Sequence, residues 1–121
     1  MLTDRLAAYA LGTARRAQIL ERTRQILKRN YPVVRDWLKE HEGVFTHLAP
    51  AAGAIAWIGY QGDRKSTEFA EELRTRKGVL LVPGEQMGMD SYLRVGFGGE
   101  PGHLRQALSR VSELMAMSAS A

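Results

Sequence analysis

The chain has 121 residues, of which 45% are hydrophobic and 25% charged, the size and balance of one globular domain built on one core. Its 17 Lys and Arg exceed its 13 Asp and Glu, giving a net charge of +4. Cysteine is absent, which excludes disulfides and thiolate metal sites, and no apolar run approaches the roughly 18 residues of a membrane-spanning helix.

Residues 3 to 29 read as helix, with Leu6, Ala7 and Ala10 on one side, then Ile19, Leu20, Thr23, Ile26 and Leu27 at helical spacing. No basic stretch followed by an apolar block opens the chain, so no signal peptide is visible and the expected setting is cytoplasmic. Gly12-Thr13 weakens the middle of this segment, which fits two helices or one bent helix. The basic excess sits here, in Arg15, Arg16, Arg22, Arg24, Lys28 and Arg29, with only Glu21 between them. Such a run can bind phosphate backbones. It contains no aromatic residue to stack on bases, and its plainer reading is a solvated helix face. Asn30-Tyr31-Pro32 interrupts the pattern: Asn30 suits a cap and Pro32 a first turn. A helix then resumes with Val33, Val34, Trp37, Leu38 and His41 and ends at Gly43.

Beyond Gly43 the apolar period changes to two. Val44 to Leu48 reads as a short strand and Pro50-Ala51-Ala52-Gly53 as a turn. Ala54 to Tyr60 is a second strand, with Ile55 and Trp57 on one face and Ile58 and Tyr60 on the other. Ser66 or Thr67 caps the next helix, Phe69, Ala70 and Leu73 form its buried stripe, and Gly78 stops it. Val79 to Val82 is apolar on both faces, the pattern of an interior strand, and Pro83-Gly84 breaks it. Tyr92 to Phe97 is the last strand. Pro101 opens the last helix, with a stripe of Leu104, Ala107, Leu108, Val111, Leu114 and Met115, and residues 118–121 should fray. The order α, α, β, β, α, β, β, α predicts an α+β fold, an open α/β sandwich. Its sheet is small, mixed or antiparallel, of about four strands, with helices mainly on one face and a long helical segment in front.

The last strand carries the candidate chemistry. Leu93, Val95 and Phe97 point one way, toward the helices; Tyr92, Arg94 and Gly96 point the other. Arg94 then projects from the uncovered face, beside space left by Gly96, and its guanidinium fork matches a carboxylate in bidentate fashion. From spacing alone the favoured reading is still an arginine paired to a neighbouring acid or lying in water. Other motifs fail. Gly96-Phe97-Gly98-Gly99-Glu100-Pro101 has Pro101 where a dinucleotide-binding turn needs its third glycine, and Arg64-Lys65-Ser66 has Arg64 where a P-loop needs one. His41, His47 and His103 lack metal-ligand spacing, so no metal is expected.

From Asn30 to the final helix, and weakly back through residues 3 to 29, the chain resembles the C-terminal small domain of fold-type I, pyridoxal-phosphate-dependent aminotransferases of class I/II. The resemblance rests on the order and spacing of Asn30, Trp37-Leu38, Pro50-Ala51-Ala52-Gly53, the Ser66 helix, Gly78-Val79 through Pro83-Gly84, and Leu93-Arg94-Val95-Gly96-Phe97-Gly98. Met87-Gly88 departs from the Phe-Gly usual in the family. The resemblance implies that Arg94 binds the substrate α-carboxylate. It implies an amino acid and a 2-oxo acid as substrates, pyridoxal 5'-phosphate as cofactor, and a homodimer for the full-length enzyme.

Transamination also needs a lysine that bonds the cofactor and moves a proton at the substrate α-carbon, an acid at the pyridine nitrogen, and a phosphate cradle. In the family these sit in a preceding large domain. None of Lys28, Lys39, Lys65 and Lys77 matches the family's lysine segment, and all four are assigned to solvent. The expectation is a fragment with no catalytic or cofactor-binding residue of its own and no turnover alone. Residues 1–29 would lead to an absent large domain, 30–117 would be the small-domain sandwich and 118–121 a frayed tail. A related enzyme of the same fold would decarboxylate, cyclise or condense instead. The alternative reading is a free-standing α+β module that uses its basic first helix on nucleic acid, or an interaction domain with no small ligand.

Overall fold

The structure, a computed structural model, describes residues 1–119. Helix α1 (Leu2–Leu11) and helix α2 (Thr13–Glu40) are separated by Gly12, whose ψ of 137° takes one residue out of helical conformation. Two helices therefore form where the weak middle was expected. Neither α1 nor the first half of α2 buries a side chain: Leu6, Tyr9, Ile19 and Leu20 all stay exposed, so the apolar stripe anticipated there is uncovered.

The break expected at Asn30-Tyr31-Pro32 does not occur. Helix α2 runs through Pro32, and Asn30 is not a cap but lies inside the helix, fully buried. Proline inside a helix removes one backbone hydrogen bond and costs about 3 kcal/mol. The stripe Asn30, Val34, Trp37, Leu38 is buried along one face on both sides of the proline, and that tertiary burial offsets the local penalty.

Strands β1 (Phe45–His47), β2 (Ile55–Tyr60), β3 (Val82–Pro83) and β4 (Tyr92–Gly96) form one antiparallel sheet in the order β1-β2-β4-β3. Helix α3 (Ser66–Lys77) precedes β3, and a 3-10 turn (Gly84–Met87) follows it. Helix α4 (Pro101–Ala119) ends the described chain. Of the tail expected to fray, Ser118 and Ala119 are the last residues of α4, and Ser120 and Ala121 lie outside the described residues.

One strand differs from its sequence pattern. Residues 79–82 are not an interior strand: β3 has two residues and lies at the sheet edge, and Leu80 is 81% exposed. The cause is the preceding helix end. Gly78 takes the left-handed conformation (φ 63°), and the Val79 N–H donates back to the Leu73 carbonyl at 3.1 Å, so the chain leaves α3 at an angle before it can pair. Pro83, which has no N–H to donate, is accommodated because its strand is an edge.

The core lies on one face of the sheet. Phe45, Ala56, Ile58, Leu93, Val95 and Phe97 meet Val34, Trp37 and Leu38 of α2, Phe69 and Leu73 of α3, and Leu104, Leu108, Val111 and Leu114 of α4. All three helices cover this face. No helix among the described residues is long and apolar enough to cross a membrane.

Candidate functional site

On β4 the alternation is strict. Leu93 and Val95 are buried against the helices, whereas Tyr92 and Arg94 are half-buried and Gly96 exposed on the opposite face. Cross-strand register fixes the neighbours. Trp57 of β2 and Val82 of β3 flank Arg94, and Ile55 stands opposite Gly96. A side chain at Gly96 would meet nothing within 4 Å, so space is open beside Arg94. Among the described residues the Arg94 guanidinium has no carboxylate and no hydrogen-bond partner. A half-buried, unpaired guanidinium on an open face can receive an anion with no competing acid to displace.

Both ends of β4 are pinned by polar contacts. At its exit the buried Asn30 donates both amide hydrogens, to the Phe97 carbonyl at 2.8 Å and the Gly99 carbonyl at 2.7 Å. At its entry the turn after β3 packs so closely that a Cβ at Gly84 would run into the Met89 carbonyl oxygen and lie 2.8 Å from the Tyr92 carbonyl oxygen at the start of the strand, so that position needs glycine. The Glu85 N–H donates to the buried Ser66 hydroxyl at 2.9 Å, and Asp90 accepts from the N–H groups of Ser66 and Ser91, each at 2.8 Å. The expected Ser66 or Thr67 cap is therefore absent: neither side chain caps the helix, and the α3 N-terminus is held by a carboxylate 24 residues further on.

The Ser66 and Ser91 N–H groups hold the Asp90 carboxyl below its ordinary value of 3.8. A lowered folded-state pKa stabilises the fold above the ordinary carboxylate range, and that contribution is lost as pH falls through the lowered value. Asp90→Asn is thus expected to lower the melting temperature near neutrality, with the gap to the parent chain narrowing as pH falls below the ordinary carboxylate range. Melting curves across that range, recorded on both proteins, check it.

The other singled-out residues lie elsewhere. Lys28, Lys39 and Lys65 are exposed, and Lys65 sits 3.7 Å from Glu85. Lys77 departs from its solvent assignment: its side chain is 17% exposed and ion-paired to Glu113 at 2.8 Å. No lysine shares the face of Arg94, and the residues present do not suit an imine-bonded cofactor. His41 bonds the Trp37 carbonyl and His47 the Tyr31 hydroxyl. Among the described residues no three His, Cys, Asp or Glu cluster as metal ligands. The basic run on α2 is exposed throughout, with Arg15 stacked on Tyr9.

Sequence reasoning missed Asn30 as an anchor and Asp90 altogether. Asn30 had a signal, a polar side chain on the apolar stripe of Val34, Trp37 and Leu38. Asp90 had none, because its partner is remote in sequence.

The fold is thus a four-stranded antiparallel sheet with one face under three helices and the other bare around an unpaired arginine, an α+β sandwich open to an anion. Comparison with known proteins agrees with this architecture. The family model of aminotransferase class I and II matches residues 1–111. Capreomycidine synthase of Streptomyces vinaceus is 31% identical over 112 residues, covering 93% of this chain and 28% of that protein. An aromatic aminotransferase of Arabidopsis thaliana is 33% identical over 114 residues, covering 92% and 28%. The crystal structure of a pyridoxal-phosphate-dependent aminotransferase from Streptococcus suis superposes with a TM-score of 0.88 at 32% identity, covering 97% of this chain and 30% of that one. The chain belongs to the class I and II aminotransferase family and has the build of its C-terminal small domain. It spans less than a third of the length of the relatives it matches.

Proposed function

We propose that this chain supplies the substrate-anchoring part of a pyridoxal-phosphate-dependent enzyme that moves an amino group between an amino acid and a 2-oxo acid, with Arg94 binding the substrate α-carboxylate. The observation that carries the reading is the half-buried Arg94, unpaired among the described residues, on the sheet face that no helix covers, with open space at Gly96. The two-pronged guanidinium would fix the carboxylate in one plane and so orient the bonds at the substrate α-carbon. Asn30 and Asp90 would serve by holding the two ends of β4. This chain's lysines take no part. The lysine, the phosphate cradle and the cofactor itself would come from the rest of the polypeptide, and approach of that part to the bare face would exclude water from the clamped carboxylate. The full-length enzyme would be a homodimer.

One relative is named a synthase and the other an aminotransferase, and this chain matches both over similar spans. Of the two activities those names carry, we propose amino transfer for the full-length polypeptide. The test is amino transfer from an amino acid to a 2-oxo acid by the full-length polypeptide, with visible absorbance of the bound cofactor. The 121-residue chain alone is expected to show neither. A full-length protein that bound the cofactor but turned over no amino acid would overturn the reading.

A further inference from the structure

The sheet face that carries Arg94 also carries a mainly apolar depression beside it. It has a volume of about 640 Å³ and is lined by Ile55, Trp57, Tyr92, Leu48, Pro50 and Met89 among others. No Asp, Glu, Lys or Arg lines it; its polar side chains are Thr46 and His47, and the His47 Nε2 is engaged by the Tyr31 hydroxyl at 2.9 Å. Its position relative to Arg94 follows from the register. Trp57 is the direct cross-strand partner of Arg94, about 5 Å away across the ladder. Tyr92 precedes Arg94 by two residues on the same face, about 7 Å along the strand. Ile55 lies diagonally, opposite Gly96. An amino-acid substrate held by its carboxylate at Arg94 has its side chain only a few bonds from this wall.

We infer that the depression seats the substrate's own side chain, and that this side chain is apolar, with an aromatic ring as the best fit. The inference rests on the carboxylate role of Arg94. Three observations favour this occupant. The walls carry no Asp, Glu, Lys or Arg to meet a second carboxylate or an ammonium group, and His47, which titrates nearest neutrality among them, is bonded to Tyr31. Two aromatic side chains, Trp57 and Tyr92, stand half-buried with a free face, the arrangement that favours offset or edge contacts with another ring. Arg94 does not itself line the depression but is the cross-strand neighbour of Trp57, which does, so a ligand that is anionic at one end and apolar at the other spans both.

The experiment uses the full-length protein and two unreactive carboxylates, 3-phenylpropionate and propionate, whose affinities are measured by calorimetry. The parent protein is expected to prefer the phenyl ligand at least about tenfold, the scale on which an apolar pocket discriminates. Trp57→Thr keeps a β-branched residue in the strand and should weaken 3-phenylpropionate about tenfold more than propionate. Leu48→Arg changes a residue that is 89% exposed and leaves the strands untouched. It should reverse the order between 3-phenylpropionate and succinate by placing a cation at the rim. Turnover of phenylalanine relative to alanine should follow the same ranking.

A parent protein with no phenyl preference overturns the inference. So does a Trp57→Thr protein that loses both ligands equally, which is the result expected if another stretch of polypeptide fills the depression. Arg94→Lys distinguishes the carboxylate clamp from the side-chain seat. If it weakens both carboxylates while Trp57→Thr does not discriminate between them, the clamp stands and the side-chain seat falls. If it weakens neither, the clamp itself falls.

Discussion

Arg94→Lys in the full-length enzyme is expected to cut kcat/KM for amino acids by about 1–3 kcal/mol of transition-state binding, the scale of a lost charge-assisted hydrogen bond. Lysine keeps the positive charge but presents a single point donor in place of a planar fork. The long-range attraction survives, and the two parallel hydrogen bonds that fix the carboxylate plane do not. The loss should therefore fall on kcat as well as KM, because a carboxylate free to swivel spends less time with the α-carbon bonds aligned for reaction. The neighbours of Arg94 make the test clean. Trp57, Val82 and Gly96 surround it on an open face, and among the described residues it holds no carboxylate, so the substitution strands no charged partner. Steady-state kinetics on two amino acids of different side-chain size would check it. Unchanged kcat/KM on both would remove Arg94 from the carboxylate role.

Legibility in the sequence divides along a physical line. Where one period dominated, the reading held. The alternation of Tyr92 to Gly96 placed Leu93 and Val95 against the helices and Arg94 on the bare face, as the structure has it. The stripe from Leu104 to Leu114 is buried. Where a local rule competed with tertiary packing, the reading failed. Asn30-Tyr31-Pro32 carries every local mark of a helix boundary, yet the helix continues because its face is buried on both sides of the proline. Val79 to Val82 is apolar enough for an interior strand. How α3 ends sends it along the sheet edge instead, a matter of one left-handed residue and one hydrogen bond. The candidate site was half legible for the same reason. Arg94 and Gly96 follow from a period of two. The Asn30 and Asp90 anchors depend on contacts spanning 67 and 24 residues, which no window along the chain contains.

Asn30→Leu is expected to destabilise the fold by about 2–4 kcal/mol, from one buried and one part-buried hydrogen bond lost and the Phe97 carbonyl left unpaired. Leucine keeps the branched outline of asparagine, but its methyl groups are bulkier than the amide, so strain at this fully buried position adds to the polar loss. The Asn30 side chain is fully buried, and its amide nitrogen is the donor to both Phe97 and Gly99. The bond to Phe97 is the buried one, so that carbonyl loses its donor without replacement, whereas Gly99 is exposed and water replaces the donor there. Denaturant unfolding should show the shift as a lower midpoint at unchanged slope, the mark of lost stability without altered compactness. Asn30→Asp is the sharper companion. It keeps the shape but replaces two donors with acceptor oxygens facing two carbonyls, so it should cost at least as much as leucine near neutral pH and recover part of the loss on acidification, when the carboxyl gains a proton to donate. The sign of that recovery is opposite to the pH dependence set by Asp90, whose contribution fades as the solution becomes acid. Two carboxylates in one fold would then respond to acid in opposite directions, one because its charge is held by backbone N–H groups and the other because its charge is opposed by carbonyl oxygens. If Asn30→Leu and Asn30→Asp both melted with the parent chain, the exit of β4 would owe its position to apolar packing alone.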